Sequence, residues 1–550
     1  MNDPAATTIA PGFATLGALL SVIVVSVWLG AIAQRAVERG SFLQGYFLGN
    51  RGLGVWAMAL TATVQSGGTF MGFPSLVYSH GWIVALWIAG YMMVPITGFG
   101  VLGKRFAQLS RRTGAITVPD LFRERFGSPG VGLVASLLIL FCMSFMMIAQ
   151  FKAGAILMKL SWPGTGVLAL AEDAAGPAGW DRAYLIGLIV FSVTVVGYTM
   201  IGGFLASVWT DLFQSVLMFV GVLALVLMAV PAAHGLEAAT RTAIENTSPD
   251  FVFGPGYATD GRAFLPISLG FSFFIVWTFG GMGSPAGLVR VMASKDTATI
   301  RRSIIVLALY NMVIYLPLIM ICIAARAIMP NLAVSDEVIP RMALWTTRDL
   351  PGGSLLAGVI LAAPFGAVMA TVSTYLVVIA SGLVHDVYQR FVEPHASDRR
   401  LRLLTYGVTI AIGLAAVAAN ISPPQYLQAL VVFSGTCTAS AFLVPALMAA
   451  YWRRATALGA QAAMLCGAAT VFALYVAGWQ GTDPMIGVAS KFRPHFLLGL
   501  DPICWGLLAS LVAGIGVSLM SSPPDRQLVS RLFDILPTDT NATRQPKGSA

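Results

Sequence analysis

Apolar runs of about 20 residues recur along the whole chain, separated by short polar connections. A run of about 20 apolar residues is long enough to cross the hydrocarbon core of a bilayer as an α-helix. The pattern therefore predicts an all-α polytopic membrane protein with about 13 transmembrane helices. The helices are expected at residues 12–33, 53–78, 80–103, 130–159, 184–201, 205–232, 264–288, 303–328, 353–386, 403–420, 425–453, 457–479 and 500–520.

The second of these runs is interrupted at its centre. Residues 65–69 (QSGGT) are polar and include adjacent glycines, where a spanning helix should be most apolar. Unpaired backbone groups in hydrocarbon cost several kcal/mol each, so such a break is stable only where it lines a cavity or binds a ligand. A broken helix at membrane depth offers free carbonyls to a cation and free amides to an anion. We interpret this break as one half of a solute site.

A second interrupted run lies at residues 264–288, where Gly280, Gly281, Gly283 and Pro285 break the apolar pattern. The two broken helices are the second and the seventh in the chain, so they cross the membrane in opposite directions. That arrangement is typical of transporters with an inverted five-plus-five repeat. Alternatively, the glycines only allow neighbouring membrane helices to pack closely.

The charged residues indicate topology. The chain is 57% hydrophobic and 10% charged, which excludes an ordinary soluble domain with about 25% charged residues. The net charge of +9 raises the question of nucleic acid binding, but 23 of the 33 Lys and Arg residues fall in alternate connections. This bias predicts that those connections are cytoplasmic, with the N-terminus outside and the C-terminus inside, and it does not indicate a nucleic acid partner. The basic segments are 34–52, 103–129, 289–302, 387–404, 452–456 and the tail after residue 520.

The predicted domains follow from this topology. Alanine- and arginine-rich usage is typical of a bacterial chain, so the expected location is the cytoplasmic (inner) membrane. The expected parts are an extracytoplasmic N-terminus, extra first helix and cytoplasmic loop at 1–52, repeat one at 53–232, repeat two at 264–453, two C-terminal helices at 457–520 and a disordered cytoplasmic tail at 521–550.

The ninth run contains a candidate cation site. On a helix, Ala367, Ala370, Thr371 and Thr374 share one face, and small residues there would let the helix approach the first break. The Thr371 hydroxyl would then lie beside freed carbonyls, and Na⁺, a hard cation, prefers such oxygen ligands. The alternative is a packing seam in which the hydroxyls bond to their own helix.

Two ionisable side chains are predicted inside spans. Asp211 is a functional candidate by its depth alone, and the alternative is a carboxylate that reaches the interface or a buried polar partner. Lys152 is a candidate partner for a substrate carboxylate, unless its stem extends to the interface. Gln150 is a further candidate for hydrogen bonding to substrate.

The solute pocket is expected to be formed by the two breaks. The residues expected to bind substrate there are Ser66, Gly67, Gly68, Thr69, Trp277 and Thr278. No nucleophile–base pair is recognisable in adjacent spans, and the five histidines lack metal-ligand spacing, so no enzyme activity, cofactor or metal other than Na⁺ is predicted.

Several stretches together resemble the sodium:solute symporter family, and within it the sodium/pantothenate symporter branch. They include YFLGNRGLG (46–54), LGKRFAQLSRRTGAITVPDLF (102–122), IGGFLASVWTDLFQ (201–214), APFGAVMATVSTYLVVIASGLVHDVY (363–388) and VPALMAAYWRRATALGA (444–460). The resemblance covers nearly the whole chain. It implies a LeuT-type fold with one helix before the core and two after it, and sodium-coupled uptake by alternating access.

The resemblance also implies roles for particular residues. The family's sodium site would use the backbone carbonyls of Ala62, Gln65 and Ala367 and hydroxyls at the positions of Ala370 and Thr371. This chain departs from the pattern, because relatives usually have Ser where it has Ala370, so weaker sodium binding is expected. Asp211 is linked by the resemblance to cation coupling.

We therefore expect a Na⁺-coupled symporter of a small organic solute in a lipid bilayer, with pantothenate or a similar small carboxylate as the first hypothesis. The alternatives are proline, urea or a sugar as the solute, and protons as the coupling ion. A membrane enzyme would need a nucleophile–base pair or paired metal ligands, and a sensor would need a cytoplasmic signalling domain.

Overall fold

A computed structural model describes residues 12–37, 46–48, 51–62, 66–163, 182–259, 265–422, 427–479 and 492–534. Within these ranges the regular secondary structure is helical, apart from one isolated β-bridge between Leu53 and Ser294. The α-helices are α1 (Phe13–Val37), α2 (Val55–Ala62), α3 (Phe73–His80), α4 (Ala85–Val94), α5 (Lys104–Thr113), α6 (Val118–Phe126), α7 (Pro129–Ser161), α8 (Arg182–Ala232), α9 (Leu236–Asn246), α10 (Ile267–Met282), α11 (Pro285–Met292), α12 (Thr297–Ile328), α13 (Val338–Thr347), α14 (Gly353–Ser381), α15 (Asp398–Ala419), α16 (Leu427–Tyr451), α17 (Ala457–Trp479), α18 (Pro502–Met520) and α19 (Arg526–Phe533).

The described residues contain eleven helices that are long and apolar enough to cross a membrane, or up to twelve if one bent pair is counted as a single span. The difference from the thirteen predicted runs lies between residues 53 and 103. There, α2 has eight residues, and the following segments Gly68–Val84 and Ile88–Thr113 meet at 104°. Elsewhere the predicted runs coincide with the observed spans to within several residues.

The first predicted interruption is present. Residues 63–65, after α2, lie outside the described residues; Ser66 is not helical, and a π-helical turn, Gly68–Gly72, then leads into α3. The carbonyl of Ser66 accepts hydrogen bonds from the backbone N–H groups of Thr69 (2.9 Å) and Phe70 (3.2 Å). Gly72 lies so close to α16 that a Cβ atom there would be 2.0 Å from Gln428 Oε1. The resumed helix is therefore packed tightly against α16.

The second predicted interruption is also present. Helix α10 ends at Met282, Ser284 has an extended conformation (φ −68°, ψ 121°), and Pro285 begins α11. Proline suits the first helical position, because it has no backbone N–H group to leave unpaired there. A Cβ atom on Gly283 would lie 2.9 Å from the Cα atom of Ala439. Both breaks therefore pack against α16.

Two spans form the centre of the bundle. In the most apolar part of the span Gly353–Val392, which consists of α14 and the π-helical segment after it, 83% of the residues are buried. The corresponding value is 89% in α16 and at most 50% in the other spans. Small residues allow the close packing that this requires. A Cβ atom on Gly221 of α8 would lie 2.7 Å from Ala363, and one on Gly358 would lie 2.6 Å from Ala18 of α1. Helix α14 is thus enclosed by protein, as expected for a helix that carries a binding site.

Helix α8 contains the boundary between two predicted runs. Gly203 has φ 57° and ψ −144°, and it divides α8 into the spans Arg182–Ile201 and Gly203–Ala232. A Cβ atom at this glycine would lie 2.6 Å from the ring of Tyr46. Both the positive φ and the contact with an aromatic ring require glycine here.

Candidate functional site

The two breaks line one cavity of about 140 Å³. Ser66, Gly68 and Thr69 contribute from the first break, and Gly281 and Ser284 contribute from the second. A cavity between two discontinuous helices is the arrangement in which membrane transporters bind their solute. Both helix breaks are therefore explained, because each one lines this cavity.

Aromatic rings form much of the remaining wall. The ring of Tyr91 lies 5.8 Å from that of Trp277 and 4.8 Å from that of Tyr315, and the Tyr315 hydroxyl is 3.2 Å from Thr69 Oγ1. Further polar lining groups come from α16. They are Gln428, Ser434 and Thr438. None of the lining residues in the described part of the chain carries a formal charge.

Some predicted substrate residues lie in this wall and others lie behind it. Ser66, Gly68, Thr69 and Trp277 line the cavity. The other four do not line it, and they are Gly67, Gln150, Lys152 and Thr278.

Gly67 and Gln150 contact each other. The Gly67 N–H group donates to Gln150 Oε1 (2.7 Å), and a Cβ atom on Gly67 would lie 2.7 Å from Ala153 of α7. Gln150 therefore holds the start of the resumed helix against α7. Thr278 points to α4, where its hydroxyl donates to the carbonyl of Gly90 (3.3 Å).

Lys152 lies in a buried ion pair outside the cavity wall. Its Nζ atom is 3.4 Å from Oδ2 of Asp336, and both side chains are less than 10% exposed. Burial raises the pKa of Asp336, and the Lys152 ammonium offsets part of that rise. Next to this pair, the hydroxyls of Ser75 in α3 and Ser335 lie 2.5 Å apart. These contacts join the connection before α13 to α3 and α7.

The predicted sodium residues on α14 are all buried. Thr371 Oγ1 donates to the carbonyl of Ala367 (3.0 Å), and Ala370 presents a methyl group with no side-chain oxygen. Ala62 is the last residue of α2, and Gln65 lies outside the described residues. A Cβ atom on Gly67 would be 3.4 Å from Val368 Cγ2, so α14 lies against the first break.

Asp211 belongs to a buried polar network that joins four helices. Its Oδ2 atom accepts from Arg290 Nη2 of α11 (2.6 Å), and the same nitrogen donates to Thr374 Oγ1 of α14 (2.6 Å). Arg290 Nε donates to Thr61 Oγ1 of α2 (3.2 Å). The Asp211 and Arg290 side chains are 3% and 1% exposed. Sequence reasoning missed Arg290, which lies inside the basic segment 289–302 and was therefore counted only as a topology signal.

Three polar atoms in this region are left unbonded by the described residues. They are Oδ1 of Asp211, Nη1 of Arg290 and Oε1 of Gln428, and all three are buried. Buried polar groups are usually hydrogen-bonded, so such atoms mark places where water, an ion or a ligand would bind. Gln428 also lines the cavity and is a second residue that sequence reasoning missed.

Comparisons with known proteins agree with this geometry. A model of the sodium:solute symporter family matches residues 46–467. The sodium/pantothenate symporter of Haemophilus influenzae is 32% identical over 465 residues, which are 82% of this chain and 89% of that protein. The osmoregulated proline transporter OpuE of Bacillus subtilis is 28% identical over 509 residues, which are 91% of this chain and 94% of that protein.

A solved structure of a Na⁺-coupled sialic acid symporter, in a substrate-bound outward-open state, has the same fold. It superimposes with a TM-score of 0.66, covers 94% of this chain and 99% of its own, and is 18% identical in sequence. The fold is therefore LeuT-like, as expected from the paired broken helices.

Proposed function

Because the chain belongs to the sodium:solute symporter family, and is thus a Na⁺-coupled symporter of a small solute, we propose that its solute is a small organic carboxylate of the pantothenate type. The observation that carries the proposal is the cavity that both broken helices line. The 32% identity to a sodium/pantothenate symporter supports the choice of solute.

The cavity would recognise such a solute through neutral groups. The described lining residues include hydroxyls and one primary amide but no cation, and Lys152 is held by Asp336. A carboxylate would therefore accept hydrogen bonds from hydroxyls such as those of Ser66 and Thr69. Gln428 Oε1, which is buried and unbonded by the described residues, would accept from a hydroxyl or amide of the solute. The rings of Trp277 and Tyr91 would cover the apolar part.

The coupling ion would bind where α14 meets the first break. We assign its oxygen ligands to the carbonyls of Ala62, Gln65 and Ala367 and to the hydroxyl of Thr371. The Thr371 hydroxyl donates its hydrogen to the carbonyl of Ala367 (3.0 Å), which brings two of these oxygen atoms together, and hard cations take hydroxyl and carbonyl oxygens as ligands. Ala370 supplies no oxygen, so this site has one ligand fewer than a site with Ser at that position.

Asp211 would link cation binding to movement of the second broken helix. Arg290 neutralises the carboxylate in this structure and connects α11 to α8 and α14. A cation at the unbonded Oδ1 atom would weaken the attraction between Asp211 and Arg290, because the carboxylate charge would then be shared. Release of Arg290 would free α11 to move, which is a step that alternating access requires.

The other end of the cavity would be closed by the contacts around Asp336. Ser75 lies two residues beyond Phe73, which lines the cavity, and its hydroxyl bonds to Ser335. Together with the Lys152–Asp336 pair, this contact holds the connection before α13 against the bundle. By the distribution of Lys and Arg, this connection is extracytoplasmic in an inner membrane, with the N-terminus outside and the C-terminus inside.

Uptake into proteoliposomes tests the proposal. Labelled pantothenate and labelled proline would be offered separately, under an inward Na⁺ gradient, under an inward proton gradient, or with no gradient. The proposal predicts that pantothenate accumulates above its external concentration only with the Na⁺ gradient. Accumulation of proline but not of pantothenate would contradict the proposed solute and identify proline as the solute instead. Accumulation driven by protons in sodium-free buffer would contradict the coupling assignment.

A further inference from the structure

A cluster of metal-ligating side chains lies outside the transport cavity, where α6 meets the end of the α14 span. Asp120 belongs to α6, and His385 and Asp386 belong to the π-helical segment Gly382–Val392 that continues α14. All three side chains are buried, and one ligand atom from each lies within 4.8 Å of the others. His385 Nε2 is 3.8 Å from Asp120 Oδ2 and 4.0 Å from Asp386 Oδ1.

The orientation of the imidazole indicates what faces the carboxylates. His385 Nδ1 lies 2.7 Å from Gln389 Oε1, and an amide oxygen only accepts, so Nδ1 carries the hydrogen. In the neutral ring Nε2 then has a lone pair. This atom is buried, and no described residue hydrogen-bonds to it. It faces two carboxylate oxygens that are also acceptors, so either a proton on Nε2 or a metal ion between the three atoms would satisfy them.

Further hydrogen bonds hold the carboxylates from behind. Asp120 Oδ1 accepts from Arg123 Nη2 (2.5 Å) and Arg390 Nη2 (3.3 Å), which leaves Oδ2 toward the imidazole. The Thr117 hydroxyl lies 2.9 Å and 2.8 Å from the two oxygens of Asp386. Metal ligands in proteins are commonly fixed in this way, by donors to the carboxylates and by an acceptor for the second imidazole nitrogen.

We propose that Asp120, His385 and Asp386 bind one divalent transition-metal ion, Zn²⁺ or Mn²⁺. One imidazole nitrogen and two carboxylate oxygens suit both ions. Bonds of about 2.0–2.2 Å imply ligand atoms about 3–3.5 Å apart, so each group would move by about half an ångström.

Water has room to complete the coordination. A cavity of about 170 Å³ adjoins the cluster and is lined by both carboxylates and by Arg123 and Arg390. The Asp120 oxygen that faces the imidazole also accepts from the Ile116 N–H group (3.1 Å), which leaves a lone pair for the metal. The bound ion would tie α6 to the helix that carries Thr371.

Metal content of the purified full-length protein tests the proposal. The protein would carry a purification tag without histidine, be stripped with EDTA, be given Zn²⁺ or Mn²⁺ in separate samples and be desalted before mass spectrometry of the metal. We expect about one equivalent in the wild type for at least one ion, and at least a tenfold lower metal content in His385→Gln and Asp386→Asn. His395→Gln is the matched control, because His395 is exposed and lies in the following connection.

Thermal stability separates loss of the site from loss of the fold. In EDTA, His385→Gln should melt close to the wild type and elute as a single species. Added metal should raise the melting midpoint of the wild type and His395→Gln but not that of His385→Gln. A wild type that binds no more metal than His385→Gln would overturn the proposal and leave a proton as the cation between the three groups. Full binding by His385→Gln would overturn it equally.

Discussion

Removing Arg290 should destabilise the protein far more than removing an exposed arginine with an equally short ion pair. Arg290→Met would leave the Asp211 carboxylate buried without its counter-charge, which lies 2.6 Å away in the wild type. Breaking a buried pair in this way costs about 3–5 kcal/mol. The hydroxyl oxygens of Thr61 and Thr374 would each lose a donor, while the Thr61 hydroxyl keeps its own hydrogen bond to the carbonyl of Ala57 (2.7 Å).

The expected loss of unfolding free energy can be converted into a shift of the melting temperature, Tm. At about 2.1 cal/mol/K of unfolding entropy per residue, 550 residues give about 1.2 kcal/mol/K, so Tm should fall by about 3–4 °C. The assay is thermal unfolding of the detergent-solubilised protein, followed by loss of the monodisperse species. The matched control is Arg241→Met, because the Arg241–Glu237 contact is 2.7 Å long but its side chains are 74% and 82% exposed. An exposed pair contributes about 0–1 kcal/mol, so Tm should change by less than about 1 °C.

A double variant completes the test. In Asp211→Leu with Arg290→Met both charges are absent, and replacement of a whole buried pair by apolar residues is often neutral or stabilising. Tm should return to about that of the wild type or rise above it, whereas Na⁺-coupled uptake should be absent from both variants. A Tm of Arg290→Met equal to that of the wild type would refute the predicted cost of burying Asp211 without its partner. A double variant with a Tm as low as that of Arg290→Met would refute it as well.

Three further predictions concern the sodium site, the cavity and the Lys152–Asp336 pair. Thr371→Ala should abolish Na⁺-stimulated uptake, whereas Ala370→Ser should lower the Na⁺ concentration for half-maximal uptake; an unchanged Na⁺ dependence in both would contradict the sodium assignment. Gln428→Leu should raise the KM for solute by about tenfold, because a hydrogen bond worth about 1.5 kcal/mol is lost. A variant with the same KM as the wild type would contradict this role of Gln428. Lys152→Met should lower Tm and leave KM unchanged, and adding Asp336→Asn should restore Tm, because the pair is buried and lies outside the cavity wall; a raised KM at unchanged Tm would instead indicate that Lys152 binds the solute.

The fold was predictable because its signals are local in sequence. The length of an apolar run determines whether it can span a membrane, and glycine and proline within a run mark a break. Even the kink at Gly203 was visible as the boundary between the predicted helices 184–201 and 205–232. Only the region from residue 53 to 103 differs, because the short helix α2 and the bend after α3 leave fewer uninterrupted spans than apolar runs.

The orientation of neighbouring side chains could not be predicted. Trp277 and Thr278 are adjacent, but successive residues on a helix point about 100° apart, and only the packing against α4 determines which one faces the cavity. Lys152 posed a similar problem. Its partner, Asp336, lies in a connection 184 residues away, and burial of that connection is a tertiary property.

Two charged clusters, Asp211 with Arg290 and Asp120 with His385 and Asp386, could not be predicted because their members are far apart in sequence. Arg290 follows an apolar run closely, and sequence alone does not reveal that α11 carries it into the bundle beside Asp211. The histidines lack metal spacing along the chain, yet the fold brings His385 to Asp120 of α6, which is far away in sequence. Spacing rules apply to ligands within one local motif and cannot detect such sites.

If the two broken helices together hold the solute, the bound solute must contact both of them. A structure determined with Na⁺ and saturating pantothenate tests it most directly. Solute density should then contact both Ser66–Thr69 and Gly280–Ser284, beside Trp277. Density at any other place in the bundle, or density that touches only one of the two breaks, would contradict it.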